Sequence, residues 1–221
     1  MRLYNVLKNK YDLTKSELDS FISNHMILIN GQKALLTSKV EDNDVLTIDD
    51  KIIDTNVNYR YFLFNKPKGV VCTNSKNEPS NIKEYINLPF RVFPIGRLDK
   101  DSHGLIILTN NQKICNKYLG TKNHIEKEYI VKLDKEYDET FIESMSKGVS
   151  ILNTITKPCE VYKVDNFTFR IILREGLNRQ IRRMSKSLGY NVVDLCRIRF
   201  GKAKLLLDEG NIKEIKLADI E

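Results

Sequence analysis

Three stretches of this chain hold side chains that could do chemistry. Gly96-Arg97-Leu98-Asp99-Lys100-Asp101-Ser102-His103-Gly104 is a polar loop between two glycines that runs into the apolar strand Leu105–Leu108. Such a loop displays its charges at the edge of a sheet, where Asp99 could serve as nucleophile or base. Taken alone, it also reads as a connection whose Asp and Ser make local turns. His124-Ile125-Glu126-Lys127-Glu128-Tyr129-Ile130-Val131 ends as an alternating strand with Tyr129 on one face. In isolation that tyrosine is a half-buried packing residue. Arg174-Glu175-Gly176-Leu177-Asn178-Arg179-Gln180-Ile181-Arg182-Arg183-Met184 ends a strand at Gly176 and opens an arginine-rich helix near Asn178, a suitable N-cap. Ile181 and Met184 share one helical face, so one flanking guanidinium can point inward while the others meet solvent. A wholly solvated basic face is the competing reading.

The combination is more specific than its parts. GRLDxDSxGLxxLTN, then EKxYxV, then EGxxRQIRRM, in that order, resembles the RsuA/RluB/RluE/RluF family of bacterial ribosomal RNA pseudouridine synthases. Asn65-Lys66-Pro67-Lys68-Gly69-Val70-Val71-Cys72-Thr73 matches the family's upstream NKPxGxVxT element. Phe93-Pro94-Ile95 before Gly96, His124 before the Glu-Lys-Glu-Tyr, and Gly176-Leu177-Asn178 are similar to the wording of its RluF-type members. The resemblance covers roughly residues 60–207. Residues 1–55 resemble the small S4-type RNA-binding domain that often precedes this catalytic domain, although Ser16 is followed by Glu17 and Leu18 rather than the usual arginine pair.

Pseudouridylation breaks the N1–C1′ bond of uridine, turns the uracil and rejoins it through C5. No atoms enter or leave and no redox change occurs, so no cofactor is expected. The resemblance implies that Asp99 works at the sugar, by attacking C1′ or by taking a proton from C2′, and that Arg182 is its charge partner. It implies that Tyr129 stacks on the flipped base and takes the C5 proton, and that Arg97 fills the gap the base leaves. Arg179, Arg183, Lys186 and Lys66 are expected to contact RNA, as are Arg2 and Lys15 in the first segment, with Lys8, Lys10 and Lys33 beside them. The RNA implied is ribosomal, of the large subunit (23S) by analogy with the RluF-type members. A synthase for transfer RNA or 16S RNA and a non-catalytic RNA-binding assembly factor are the alternatives. A glycosidase would need paired carboxylates, and Asp99 and Asp101 are too close in sequence to flank one bond.

The elements that must hold these residues can be read from periodicity. Leu3, Val6 and Leu7, and then Leu18, Phe21 and Ile22 after a cap at Thr14 or Ser16, predict two short helices. Ile27–Ile29 with Asn30-Gly31 predicts a hairpin, and Val45–Ile48 a later strand. Beyond a linker at Asp54–Asn58, strands are expected at 61–65, 105–109, 128–133, 160–164, 167–173 and 191–198, and helices at 82–86, 112–119, 138–147 and 179–188. This pattern predicts an α+β architecture: an S4-like domain over 1–56 and a synthase domain over 59–221 with a mostly antiparallel mixed sheet.

Charge divides the chain in the same place. Residues 1–58 hold seven Lys/Arg against nine Asp/Glu, a net of −2, and the remainder 29 against 20, a net of +9, so the positive excess belongs to the second segment. That excess fits a polyanionic partner. No apolar run spans the roughly 20 residues a membrane requires, and no signal peptide opens the chain. Four widely spaced cysteines and three scattered histidines predict a reducing compartment and no metal site. A cytoplasmic monomer is expected.

Overall fold

The computed structural model describes residues 1–11, 13–55, 58–73, 78–86, 88–119 and 125–220. Asn56 and Val57 of the expected linker and His124 of the second motif lie outside the described residues. The chain divides into two compact units, one of Met1–Tyr59 with Leu88–Val92, the other of Arg60–Asn87 with Phe93–Glu221. The return of 88–92 to the first unit is a feature that a linear boundary misses.

In the first unit, α1 (Leu3–Tyr11) and α2 (Lys15–Asn24) precede β1 (Ile27–Ile29), β2 (Gln32–Lys33), β3 (Leu46–Ile48) and β4 (Lys51–Ile53), which form a sheet in the order β2-β1-β3-β4. Helix α2 begins with a capping box: Glu17 N–H donates to Thr14 Oγ1 at 3.3 Å, and Thr14 N–H donates to Glu17 Oε2 at 2.7 Å. Asn30 and Gly31 take positive φ, 51° and 79°, as a tight hairpin turn requires. Leu3, Leu7, Leu18 and Leu46 are fully buried against Ile27 and Ile48.

The second unit runs β5 (Tyr61–Lys66), α3 (Ile82–Ile86), β6 (Phe93–Ile95), β7 (His103–Thr109), α4 (Gln112–Leu119), β8 (Lys127–Leu133), α5 (Glu139–Lys147), the hairpin β9 (Ser150–Ile151) and β10 (Thr154–Ile155), β11 (Glu160–Lys163), β12 (Thr168–Leu173), α6 (Gln180–Ser187), β13 (Val192–Phe200), β14 (Ala203–Lys204) and β15 (Ile212–Ile215). A nine-stranded sheet takes the order β11-β12-β8-β13-β7-β5-β15, with β14 on β13 and β6 on β7. Its pairs are antiparallel except β13 with β7, so the architecture is α+β with a mostly antiparallel mixed sheet.

Strand β7 lies inside this sheet, which explains its unbroken apolar run: Leu105, Ile106, Ile107 and Leu108 are all fully buried. Gly104 lets β7 lie against β13. A Cβ there would come within 2.4 Å of the Arg197 carbonyl oxygen, at a φ of +103°. No helix of the described residues is long and apolar enough to cross a membrane.

Candidate active site

The loop carrying Asp99 is the turn of a hairpin. Strand β6 pairs antiparallel with β7, Ile95 opposite Ile107, so residues 96–102 project from the sheet edge. Three backbone contacts pin them. Leu98 is buried and its N–H donates to Cys72 Sγ at 3.3 Å; Gly69 N–H donates to Lys100 O at 2.8 Å; Ser102 N–H donates to Asp99 O at 3.1 Å. The Asp99 side chain is left 34% exposed, reachable by a ligand yet fixed at its backbone.

Helix α6 supplies the cations, in a different arrangement from the expected one. Its N-cap is Arg179 rather than Asn178, in the left-handed region at φ 50°, ψ 37° and without a side-chain cap. A non-glycine residue there costs on the order of 1–3 kcal/mol, which the surrounding contacts must offset. Arg179 sends a fork into the loop: Nη1 and Nη2 donate to the two Asp101 carboxylate oxygens at 3.0 and 2.8 Å, and Nη1 lies 3.6 Å from Asp99 Oδ2. That fork holds the Asp101 carboxyl below its ordinary range.

Arg182, expected to pair with Asp99, is committed elsewhere. Its Nη1 donates to Val192 O at 3.0 Å, and its Nη2 to Asp101 O at 3.0 Å and Ser102 Oγ at 3.3 Å. Its Nε lies 3.4 Å from Asp101 Oδ2. The inward guanidinium of the helix is therefore a clamp on the loop backbone, while Arg179, classed from sequence as a phosphate contact, is the cation beside Asp99.

Lys66 is also corrected. It is fully buried, its Nζ donates to Pro67 O at 2.9 Å and Val70 O at 2.8 Å, and burial pushes its ammonium down. It closes the turn that follows β5 and is not a surface contact for RNA.

Tyr129 sits on β8 between β12 and β13, opposite Ile171 and Arg197, and is 9% exposed. It is thus a buried strand residue that nevertheless faces a cavity. The cavity has a volume of about 730 Å³, and its walls include Arg97, Asp99, Tyr129, Arg179, Lys127 and Arg197. Among the described residues the Tyr129 hydroxyl makes no hydrogen bond.

Residues 174–202 carry eight Lys/Arg against two Asp/Glu, and most of these cations are paired within the protein. Arg174 bonds Glu126 at 2.7 Å, and Arg199 bonds Glu128 at 2.6 Å and Glu126 at 3.1 Å. Arg183 folds back on Asn178, its Nε donating to the backbone O at 3.0 Å and its Nη2 to Oδ1 at 3.2 Å. Arg97, Lys186 and Lys202 remain exposed, as do Arg2 and Lys15 in the first unit.

Arg197 was not singled out by pattern. It occupies a core position of β13, where the strand spacing Leu195, Arg197, Arg199 offers no apolar signal. Asp101 was visible only as a neighbour of Asp99.

The model of the RNA pseudouridylate synthase family matches residues 60–187, which contain the loop, β8 and most of α6. The dual-specificity RNA pseudouridine synthase RluF of Escherichia coli strain K12 is 42% identical over 93% of this chain and 71% of its own length. The ribosomal small subunit pseudouridine synthase A of Haemophilus influenzae is 28% identical over 100% of this chain and 98% of its own. A crystal structure of a pseudouridylate synthase superposes with a TM-score of 0.71 at 27% identity, covering 100% of this chain and 98% of that one. With a family model over more than half its length and a relative at 42% identity, this chain belongs to the RsuA/RluF-type RNA pseudouridine synthases and is an isomerase of RNA.

Proposed function

We propose that the protein converts one uridine of ribosomal RNA to pseudouridine in the cavity between the Asp99 loop and β8, with Asp99 as the residue that acts on the sugar. The observation that carries this reading is that one cavity holds Asp99, an arginine 3.6 Å from its carboxylate, and the face of Tyr129. The carboxylate attacks C1′ or removes the C2′ proton, and the loop's backbone bonds hold it in place for either. Tyr129 stacks on the extruded uracil, and its uncommitted phenol takes the C5 proton in the last step. Arg97, exposed at the cavity mouth, occupies the space the base vacates. Arg179 holds the carboxylate aimed, and Arg182 positions the loop.

The substrate is large-subunit (23S) RNA, by the likeness to RluF. The first unit is an S4-like RNA-binding domain, and the protein works as a cytoplasmic monomer. Phosphate contacts fall to Arg97, Lys186 and Lys202, with Arg183 and, from the first unit, Arg2 and Lys15. Tritium release from transcripts of the host's ribosomal RNAs labelled at uridine C5 tests the assignment. Release from the large-subunit transcript is expected. Release from the small-subunit transcript or transfer RNA alone would move the substrate, and release from none would overturn the reading.

A further inference from the structure

Arg197 is the largest fully buried side chain among the described residues, 1% exposed in the middle of β13. Its Nε donates to Leu105 O at 2.7 Å, which ties β13 to β7. Its guanidinium carbon lies 5.3 Å from the Phe200 ring centroid, and Nη1 would lie 3.7 Å from a Cβ placed on Gly96. Nη2 is buried without a hydrogen-bond partner, and among the described residues no carboxylate pairs with this guanidinium. Lys127, on the same cavity wall, donates from Nζ to the Ile125 carbonyl at 3.0 Å. Burial and the Arg197 charge push its ammonium down. Two desolvated cations thus share a wall on which neither meets a carboxylate at ion-pair distance among the described residues, Glu175 acting on Lys127 only from farther away. A buried guanidinium with an unmet N–H is costly unless a ligand supplies the acceptor.

We propose that Arg197 is a catalytic residue that donates from Nη2 to a carbonyl oxygen of the flipped uracil and stabilises the anion the base becomes. This rests on the reading of the cavity as the uridine site. When the N1–C1′ bond breaks, its electron pair stays on N1. That holds whether Asp99 has formed a bond to C1′ or has taken the C2′ proton, whose C–H pair becomes the C1′–C2′ double bond. Either way uracil departs as an anion whose charge spreads over O2 and O4. C5 then bonds to C1′, Asp99 is released or returns the C2′ proton, the C5 proton leaves to a base, and N1, which kept the pair of the broken bond, takes up a proton. Arg197 gains and loses no atom. Because its Nη2 is held in a dry wall before the charge develops, it acts with little reorganisation. Asp99 and Tyr129 address the sugar and the ring face, whereas Arg197 addresses the ring edge.

The competing account is that Arg197 only packs β13 against β7. Single-turnover pseudouridine formation separates the two, measured for wild type, Arg197→Met and Arg197→Lys on host large-subunit transcripts made with UTP, 2-thio-UTP or 4-thio-UTP. Sulfur accepts N–H bonds poorly, so the transcript altered at the contacted atom has less to lose. Arg197→Met is expected to lose about 100-fold or more on the uridine transcript, the scale of removing an oxyanion donor. That loss should shrink by about tenfold on one thio transcript and stay unchanged on the other. Equal losses on all three transcripts would make Arg197 a packing residue and overturn the inference. Thermal melting checks folding, and if the methionine variant does not fold, the lysine variant carries the same three-transcript comparison. Absence of pseudouridine with wild type on the uridine transcript would overturn the cavity reading itself, and this inference with it.

Discussion

At the loop wall of the cavity, Asp99 and Asp101 face Arg179 and Arg182, and backbone carbonyls accept from both Arg182 terminal nitrogens. Arg182 Nε, without a hydrogen bond, still lies 3.4 Å from an Asp101 carboxylate oxygen. At the strand wall, Arg197 and Lys127 meet no carboxylate at ion-pair distance among the described residues, and one guanidinium nitrogen is left unsatisfied. A wall whose charges are already matched keeps its geometry whether or not substrate is present. An unmatched wall gains most when negative charge arrives. The loop wall is therefore suited to holding a carboxylate ready, and the strand wall to the charge that develops on the departing base. Charge count alone hides this, since both walls contribute to one basic segment.

The contrast can be broken most visibly at Tyr129, which belongs to the strand wall but carries no charge. Tyr129→Phe keeps the ring, so RNA affinity should change little while C5 tritium release stalls. Tyr129→Leu should also lose about 1–3 kcal/mol of binding, if stacking is as strong as in other base–aromatic contacts. Near-normal release by the phenylalanine variant would reduce Tyr129 to a stacking platform.

The next effect separates the two arginines of the loop wall. Arg179→Met removes the cation beside Asp99 and should slow turnover about 10- to 100-fold, the scale of a charged hydrogen bond worth roughly 1.5–3 kcal/mol. Arg182→Met leaves the Asp101 carbonyl and Ser102 without their donor and should register in stability as well, by about 1–3 kcal/mol in denaturant unfolding. Identical turnover and unfolding profiles for the two variants would erase the distinction between charge partner and clamp.

Asp101 gives a smaller effect, seen as pH dependence. Its folded-state carboxyl titrates below its unfolded value because Arg179 hydrogen-bonds it. Its contribution is therefore fully present above the unfolded value, about 3.9, and is lost as pH falls through the lower folded value. The stability gap between wild type and Asp101→Asn should be constant above about pH 5 and close below about pH 4. A gap that persisted into acid would mean that shape, not charge, holds the loop. The smallest effect lies away from the cavity: Thr14→Ala removes the capping box of α2 and should cost about 1 kcal/mol in the first unit's unfolding, with turnover kinetics unaltered.

Much of this arrangement was legible in the residues. The apolar run Leu105–Leu108, the Asn30-Gly31 turn and a helix cap at Thr14 or Ser16 are local signals, and the strands and helix they predict are present, with Thr14 as the cap and Glu17 as its partner. The α+β class follows from the same periodicities. What escaped depends on long-range pairing. Strands β6, β14 and β15 are two to four residues long and exist because β7, β13 and β5 lie beside them. The exchange of places between Arg179 and Arg182 turns on a single left-handed N-cap, which spacing does not reveal. Lys66 and Arg197 were hidden by their type, since lysine and arginine read as surface residues unless the partners that bury them are known.

The central claim is that Asp99 performs the chemistry on one uridine of ribosomal RNA. Its most direct test is a transcriptome-wide pseudouridine map of the host with this gene deleted and then restored as wild type or as Asp99→Asn. The account predicts that deletion removes pseudouridine from a defined large-subunit position, that the wild-type gene restores it, and that the asparagine variant, folded and RNA-binding, does not. A map unchanged by deletion, or one restored by Asp99→Asn, would contradict it.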